Sequence, residues 1–171
     1  MEEALMNYFK RLLTILQKEH DAIELVLKLE NEKYDALKSV DVKKLMELNS
    51  QEEGLLELLS STEKKRKELI VSLSKEFNLD KNLSLNDLIE IFNEKIDNDL
   101  KVEIITLKDR IKHISERLRA VVRENEELIK SNMEIISLTL SFASKHSLYE
   151  TYNHRNRGDG VSKVYLINSL A

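Results

Sequence analysis

Proline is absent from this chain of 171 residues, and glycine occurs only three times, at Gly54, Gly158 and Gly160. Proline and glycine are the residues that most often mark tight turns, and β-sandwiches, barrels and doubly wound folds need many such turns. A chain with so few of these residues could not form the turns of those architectures without a large cost in stability. The sequence favours an all-α fold, in which long helices are joined by few connections.

The remaining composition limits the chemistry and the setting of the protein. Because there is no cysteine, the chain can form neither a disulfide framework nor a thiolate metal site. The net charge of −4, with both signs interspersed, argues against a nucleic-acid-binding surface. The early charged residues exclude a signal peptide, and the longest useful uncharged run, at 135–144, is about half of a membrane span. We expect a cytoplasmic protein without stable membrane insertion.

Apolar residues recur every three or four positions along four segments, which is the spacing of one helix face. Asp41 or Ser39 is the candidate cap of the second segment, and Ser84 with Asp87 forms a candidate capping box for the third. The heptad repeat of the long segments predicts an elongated antiparallel bundle, or coiled coil, of three long helices and one short helix, with an irregular C-terminal tail. The predicted helices cover residues 2–37, 42–77, 84–97 and 100–146.

Polar residues interrupt the heptad seams of the second and fourth predicted helices. They are Glu52, Thr62, Arg66, Asn125 and Asn132. A polar residue at a seam position costs stability, and it can fix the register and the number of partners. Two interpretations stay open: register control, or a loosened stretch of the bundle that repacks around a partner helix.

The character of the sequence changes at Leu148. Residues 148–171 hold two of the three glycines and three of the five tyrosines. The predicted organisation is a helical bundle over 1–147 and a partner-binding tail over 148–171, which either folds back on the bundle or orders on a partner. The candidate partner-binding residues are Leu148, Tyr149, Tyr152, Val161, Val164, Tyr165, Leu166, Ile167 and Leu170.

No catalytic motif is recognisable in the sequence. The chain has neither a glycine-rich phosphate loop nor a nucleophile elbow. His20 and Glu24, or His113 and Glu116, have helical spacing, but a metal site would need a matching pair from another helix. The sequence predicts a protein that is not an enzyme and that uses neither cofactor nor metal. A helical-bundle enzyme using paired carboxylates and histidines would require bound metal.

Three parts of the chain together carry a resemblance to a known family. The first is the hairpin of the first two helices, with Leu29, Glu32, Ala36, Leu37, Asp41, Leu45, Leu48, Glu52 or Glu53, Leu56, Leu59, Arg66 and Leu69. The second is the fourth helix with its seam asparagines, and the third is the tail, in which Tyr152 is followed by Gly158 and the apolar pair 166–167. These parts resemble FlgN-type flagellar export chaperones.

The resemblance implies a function in flagellum assembly. Such chaperones bind the C-terminal helices of hook–filament junction (hook-associated) proteins, prevent premature assembly and deliver these clients to the type III export gate. It also implies that a tyrosine near the C-terminal region contacts the gate, with Tyr149 and Tyr152 as candidates and Tyr152 preferred. We expect a monomer when free. The alternative is a structural coiled-coil adaptor that self-associates or scaffolds through the fourth helix.

Overall fold

The structure is a computed structural model, which describes the backbone of residues 2–80 and 83–155 and the side chains of residues 2–80 and 83–143. Within those ranges every regular element is helical, so the predicted fold class is confirmed. The helices are α1 (Glu2–Ser39), α2 (Val42–Glu76), α3 (Leu85–Ile91) and α4 (Asn98–Arg155).

Two of the predicted helix ends were wrong. α3 ends at Ile91 instead of continuing to 97, because hydrogen-bonded turns follow Phe92 and lead the chain towards α4. α4 extends to Arg155 instead of ending at 146, and it therefore includes the first residues of the predicted irregular tail. Between the predicted end at 146 and Gly158 the sequence contains neither proline nor glycine, so nothing local ends the helix earlier.

The predicted helix caps are confirmed. Asp41 accepts a hydrogen bond from the backbone N–H of Lys44 at 3.0 Å, which caps α2. Ser84 accepts from the N–H of Asp87 at 3.2 Å, and the Asp87 carboxylate accepts from the N–H of Ser84 at 2.7 Å. Asp97 accepts the N–H two residues further on, at 2.8 Å, and so opens α4. Each cap satisfies a backbone donor that has no partner inside its helix.

Both long helices of the hairpin end in a left-handed residue that is not glycine. Val40 has φ 55° and Asn78 has φ 52°. At the first turn the N–H of Asp41 bonds to the carbonyl of Ala36 at 2.9 Å, which is the Schellman pattern of a helix end. Asparagine tolerates this conformation, whereas the β-branched side chain of Val40 crowds its own backbone. The α1–α2 turn is therefore strained.

The chain divides into two compact units, residues 1–129 and residues from 130 onward, and the boundary falls within α4. The first unit contains a large apolar cluster, the base cluster, that joins the start of α1, the end of α2, α3 and the start of α4. In it Phe92 packs edge-on against Phe9 and Phe77. Its buried members are Leu5, Phe9, Leu12, Leu16, Leu69, Leu73, Leu88, Ile89, Phe92, Ile96, Leu100, Ile104 and Leu107.

A second, smaller apolar cluster lies near the α1–α2 turn. This tip cluster consists of the buried residues Leu29, Ala36 and Leu48, with Leu45 and Leu55 packed against them. Within the described part of the chain, its members come from α1 and α2 alone. The two ends of the hairpin are thus held by apolar clusters of very different size.

Gly54 lies inside α2. Apart from the adjacent residues and the nearby backbone of α2, no described atom lies within 4 Å of the position that a Cβ would occupy there. The glycine therefore does not serve a close approach of another helix, and it costs the helix about 1 kcal/mol relative to alanine.

Candidate partner-binding surface

The seam of α1 contains buried polar residues that the sequence analysis missed. Glu19, Glu30 and Lys33 continue the three-and-four spacing of the buried apolar residues of this helix. Gaps in its apolar stripe, such as the one between Val26 and Leu37, were the signal that could have found them. Each of the three side chains contacts a polar seam residue of another helix.

Two partly buried ion pairs at seam positions link α1 to α2. Nε of Arg66 lies 3.0 Å from Oε1 of Glu19, and Nζ of Lys33 donates a hydrogen bond to the carboxylate of Glu52. Both pairs belong to one antiparallel register, because fourteen residues separate them on each helix. A slip of one heptad in either direction would place Arg66 or Glu52 against Val26. These contacts favour register control for Glu52 and Arg66.

Four polar residues from three helices meet at one point of the first unit, which we call the polar joint: Glu30, Lys33, Glu52 and Asn125. Nδ2 of Asn125 donates to the backbone carbonyl of Glu30 at 2.9 Å and to its Oε2 at 2.7 Å. Nζ of Lys33 donates to Oε1 of Glu30 at 2.8 Å and also to Glu52. Asn125 is 4% exposed, and among the described residues none donates to its Oδ1.

The electrostatics of the polar joint differ between its two carboxyl groups. Burial works against the ionised form of Glu30, but hydrogen bonds with Lys33, Glu52 and Asn125 outweigh burial and lower its pKa. Burial raises the pKa of Glu52, and the neighbouring Glu30 adds to that rise despite the attraction of Lys33. The pKa of Lys33 is raised, since its bonds to both carboxylates outweigh the burial that would lower it. One ammonium thus serves two coupled carboxyl groups.

The other polar seam positions do not belong to the polar joint. Thr62 is buried, and its Oγ1 donates to the carbonyls of Leu58 and Leu59 of its own helix, each at 2.9 Å. Asn132 is half-buried in the second unit. The structure therefore brings together two of the five predicted seam residues, Glu52 and Asn125, and pairs Arg66 separately with Glu19.

The later part of α4 exposes a series of large apolar side chains, which we call the exposed stretch. At about 100° per residue its members fall in two stripes, one spaced as 129, 133, 136 and 140 and the other as 135, 138 and 142. The two stripes lie on roughly opposite sides of α4, and a helix that is apolar on more than one side is typically buried on more than one side. The members, each at least 45% exposed, are Ile129, Met133, Ile135, Ile136, Leu138, Leu140 and Phe142.

The exposed stretch was not among the predicted partner-binding residues, although the uncharged run at 135–144 marked it and the adaptor alternative placed self-association on the fourth helix. A series of large apolar side chains left exposed is a usual sign of an interaction site. In the part of the chain that the structure describes, no helix is long and apolar enough to cross a bilayer.

The predicted partner-binding residues of the tail lie largely beyond what the structure describes. Leu148, Tyr149 and Tyr152 belong to the backbone of α4, but their side chains are outside the described residues. The remaining six, Val161, Val164, Tyr165, Leu166, Ile167 and Leu170, lie outside the described residues altogether. Their assignment stays a prediction.

Among the described residues, His20 belongs to one group of side chains with metal-ligand character. Ligand atoms of His20, Asp21 and Glu24 lie within 4.8 Å of one another, and both carboxylates are exposed. His20 and Glu24 also line a groove of about 600 Å³ together with Arg110 and Arg117. The two guanidinium charges oppose the binding of a cation, and exposed acidic groups of this kind are common without one.

Comparison with known proteins completes the description of the chain. A family model described as FlgN protein matches residues 1–157, a range that includes all four helices, the polar joint and the exposed stretch. Neither the curated proteins nor the solved structures contain a match. The chain belongs to the FlgN family and is a flagellar export chaperone.

Proposed function

We propose that this chaperone binds the C-terminal helical segments of hook–filament junction proteins, prevents their premature assembly and delivers them to the export gate. The observation that carries the proposal is the exposed stretch of α4. An unassembled filament-type protein exposes amphipathic helices that are meant for its neighbours. An apolar helix surface covers such helices by the same packing that joins helices within a protein.

Client binding of this kind requires no chemical step. A chaperone that binds only the unassembled client shifts the assembly equilibrium by mass action. We therefore propose a cytoplasmic protein that acts without cofactor, nucleic acid or catalysis, and without stable membrane insertion. In the free state we expect a monomer.

The first test targets one residue of the exposed stretch. Ile136→Glu places a charge among the apolar side chains, whereas Val102→Glu makes the same change elsewhere on α4, and both residues are 52% exposed in the wild type. We expect a labelled C-terminal peptide of a junction protein to bind wild type and Val102→Glu with 1:1 stoichiometry. Ile136→Glu should weaken binding by roughly 30-fold or more. If both variants bind the peptide with equal affinity, the exposed stretch does not contribute to client binding.

The second test concerns the tail. Deletion of residues 148–171 should weaken peptide binding, and retained affinity would exclude a role of the tail in holding the client. For the export gate we propose Tyr152 as the contact, with Tyr149 as the other candidate. Tyr152→Ala should reduce binding to the purified gate component and leave peptide binding unchanged. If Tyr149→Ala reduces gate binding instead, the assignment passes to that residue.

A structural adaptor that self-associates through α4 is the second candidate function, and the same exposed stretch supports it. Two copies could bury their apolar stripes against one another, as coiled-coil partners do. Light scattering over a concentration series separates the two proposals. A monomer at every concentration disfavours the adaptor, whereas a dimer that Ile136→Glu dissociates favours it.

A further inference from the structure

α4 contacts the other helices of the first unit in two different ways. At its start, Leu100, Ile104 and Leu107 are buried in the base cluster. Between residues 115 and 129, Asn125 is the buried side chain, whereas the seam residues Leu118 and Val121 are only half-buried. This segment of α4 is therefore held by less apolar burial than the segment before it.

At the tip cluster and the polar joint, the contacts between α1 and α2 form without α4. The described members of the tip cluster come from α1 and α2 alone. At the polar joint, Lys33 connects Glu30 of its own helix to Glu52 of α2 without help from α4. If Asn125 moved away, each carboxylate would keep its ammonium partner, so no unpaired buried charge would result.

α4 contributes one neutral side chain to the polar joint, the amide of Asn125, and this amide does not form all the hydrogen bonds that it could. Nδ2 of Asn125 makes two hydrogen bonds, but its buried Oδ1 has no donor among the described residues. A buried acceptor without a donor regains a hydrogen bond to water when it is exposed, which offsets part of the loss of the two bonds. Separation at this point is consequently less costly than separation at the base cluster.

We propose that residues 115–129 of α4 open away from the α1–α2 hairpin at the polar joint while the base cluster stays folded. We further propose, on the basis of the proposed chaperone function, that this opening admits an amphipathic helix of the client against α1 and α2. In the open state the helical hydrogen bonds of 115–129 break, so the opening is a local unfolding equilibrium of the free protein. The polar joint sets how often it occurs.

Hydrogen exchange of the full-length protein without client tests the opening itself. We expect the amides of 115–129 to exchange at least tenfold faster than those of 100–111. Asn125→Ala should accelerate exchange in 115–129, since it removes both bonds to Glu30. The double variant Glu30→Met, Asn125→Leu makes the contact apolar and should slow exchange there about tenfold.

Asn132→Leu is the matched control, because it replaces the seam asparagine one heptad further along and outside the polar joint. Exchange in 115–129 should be unchanged in this variant. If 115–129 exchanges as slowly as 100–111 in the wild type, or if the Ala and double variants shift exchange in the same direction, the opening is excluded.

Association kinetics with the client peptide test the role of the opening. The double variant should slow peptide association about tenfold, and Asn125→Ala should accelerate it. If the exchange results hold but association is unchanged in both variants, the opening is not a step of client uptake. If the wild type binds no peptide, the proposed client is wrong, while the exchange experiment still decides the opening.

Discussion

The two ends of the α1–α2 hairpin are built on different principles. At the base, buried side chains from four helices form one apolar cluster, and its centre includes packed phenylalanine rings. At the tip, three buried apolar residues are accompanied by the ion pairs and hydrogen bonds of the polar joint. Apolar burial supplies most of the stability of a fold, whereas buried polar contacts add little net stability but specify geometry. We infer that the base supplies stability and the tip supplies register.

The sharpest test of this difference compares two leucines of α2. Leu73 is buried in the base cluster and Leu48 in the tip cluster, so Leu→Ala removes the same atoms from each end. We expect Leu73→Ala to lower the free energy of unfolding by about 4 kcal/mol. Leu48→Ala should cost about 2 kcal/mol, because the smaller cluster can close around the cavity. Chemical denaturation measures both values, and equal losses would contradict the division into base and tip.

Lys33→Met tests how far charge holds the tip together. The change leaves Glu30 and Glu52 facing each other without their shared ammonium. We expect a loss of about 2 to 3 kcal/mol at pH 7, reduced from the cost of a fully buried pair because Glu52 can take up a proton. Lys44→Met is the control, since its pair with Glu32 at 3.5 Å is exposed and should contribute less than about 0.5 kcal/mol. If thermal unfolding shows similar losses of stability for Lys33→Met and Lys44→Met, the polar joint contributes no more than an exposed ion pair.

Val40→Gly should strengthen the tip. Glycine adopts the left-handed conformation of this turn without the crowding of a β-branched side chain. We expect a gain of about 1 kcal/mol in the free energy of unfolding, after the greater flexibility of glycine in the unfolded chain is subtracted. Asn78→Gly should gain less, because asparagine already tolerates this conformation. A larger gain at Asn78 than at Val40 would rule out strain as the cause.

Glu52→Gln gives the smallest effect, and its sign depends on pH. The pKa of Glu52 is raised in the folded protein, so its protonated form is favoured there and its ionisation at neutral pH costs stability. Glutamine resembles the protonated side chain. The variant should melt slightly above the wild type at pH 7, and the difference should close as the pH falls through the range in which glutamate is protonated. A difference that instead widens at acid pH would contradict the direction of the shift.

Much of the fold could be predicted from the sequence because its determinants are local. The caps at Asp41 and Ser84 depend on a side chain and a backbone N–H three residues away. The seam spacing follows from the period of the helix, and the turn after Ser39 needed no glycine to be located. The same periodicity cannot show which part of a seam is covered. Ile104 and Ile135 both continue the seam of α4, yet the first is buried and the second is exposed.

The candidate site was less predictable, because its contacts join residues that are distant in sequence. In the sequence, Glu30 and Lys33 are indistinguishable from the other charged residues of a charged helix. Only the structure shows that they contact Asn125 and Glu52. The choice between register control and a loosened stretch also depended on those pairings. Arg66 and Glu52 form ion pairs with α1 across the hairpin, which favours register control. Asn125 adds one neutral amide to Glu30, whose charge is already paired with Lys33, and this favours a loosened stretch.

Gly54 lies two residues after Glu52 on an exposed part of α2, with open space where a side chain would stand. The chain contains no cysteine. A Gly54→Cys variant would therefore carry a single thiol two residues from Glu52 but on the other side of α2, at a position where helix propensity favours the change. An environment-sensitive dye attached there would have no competing attachment site elsewhere in the chain. A glycine that the packing of α2 does not require is thus a natural place from which to observe this helix.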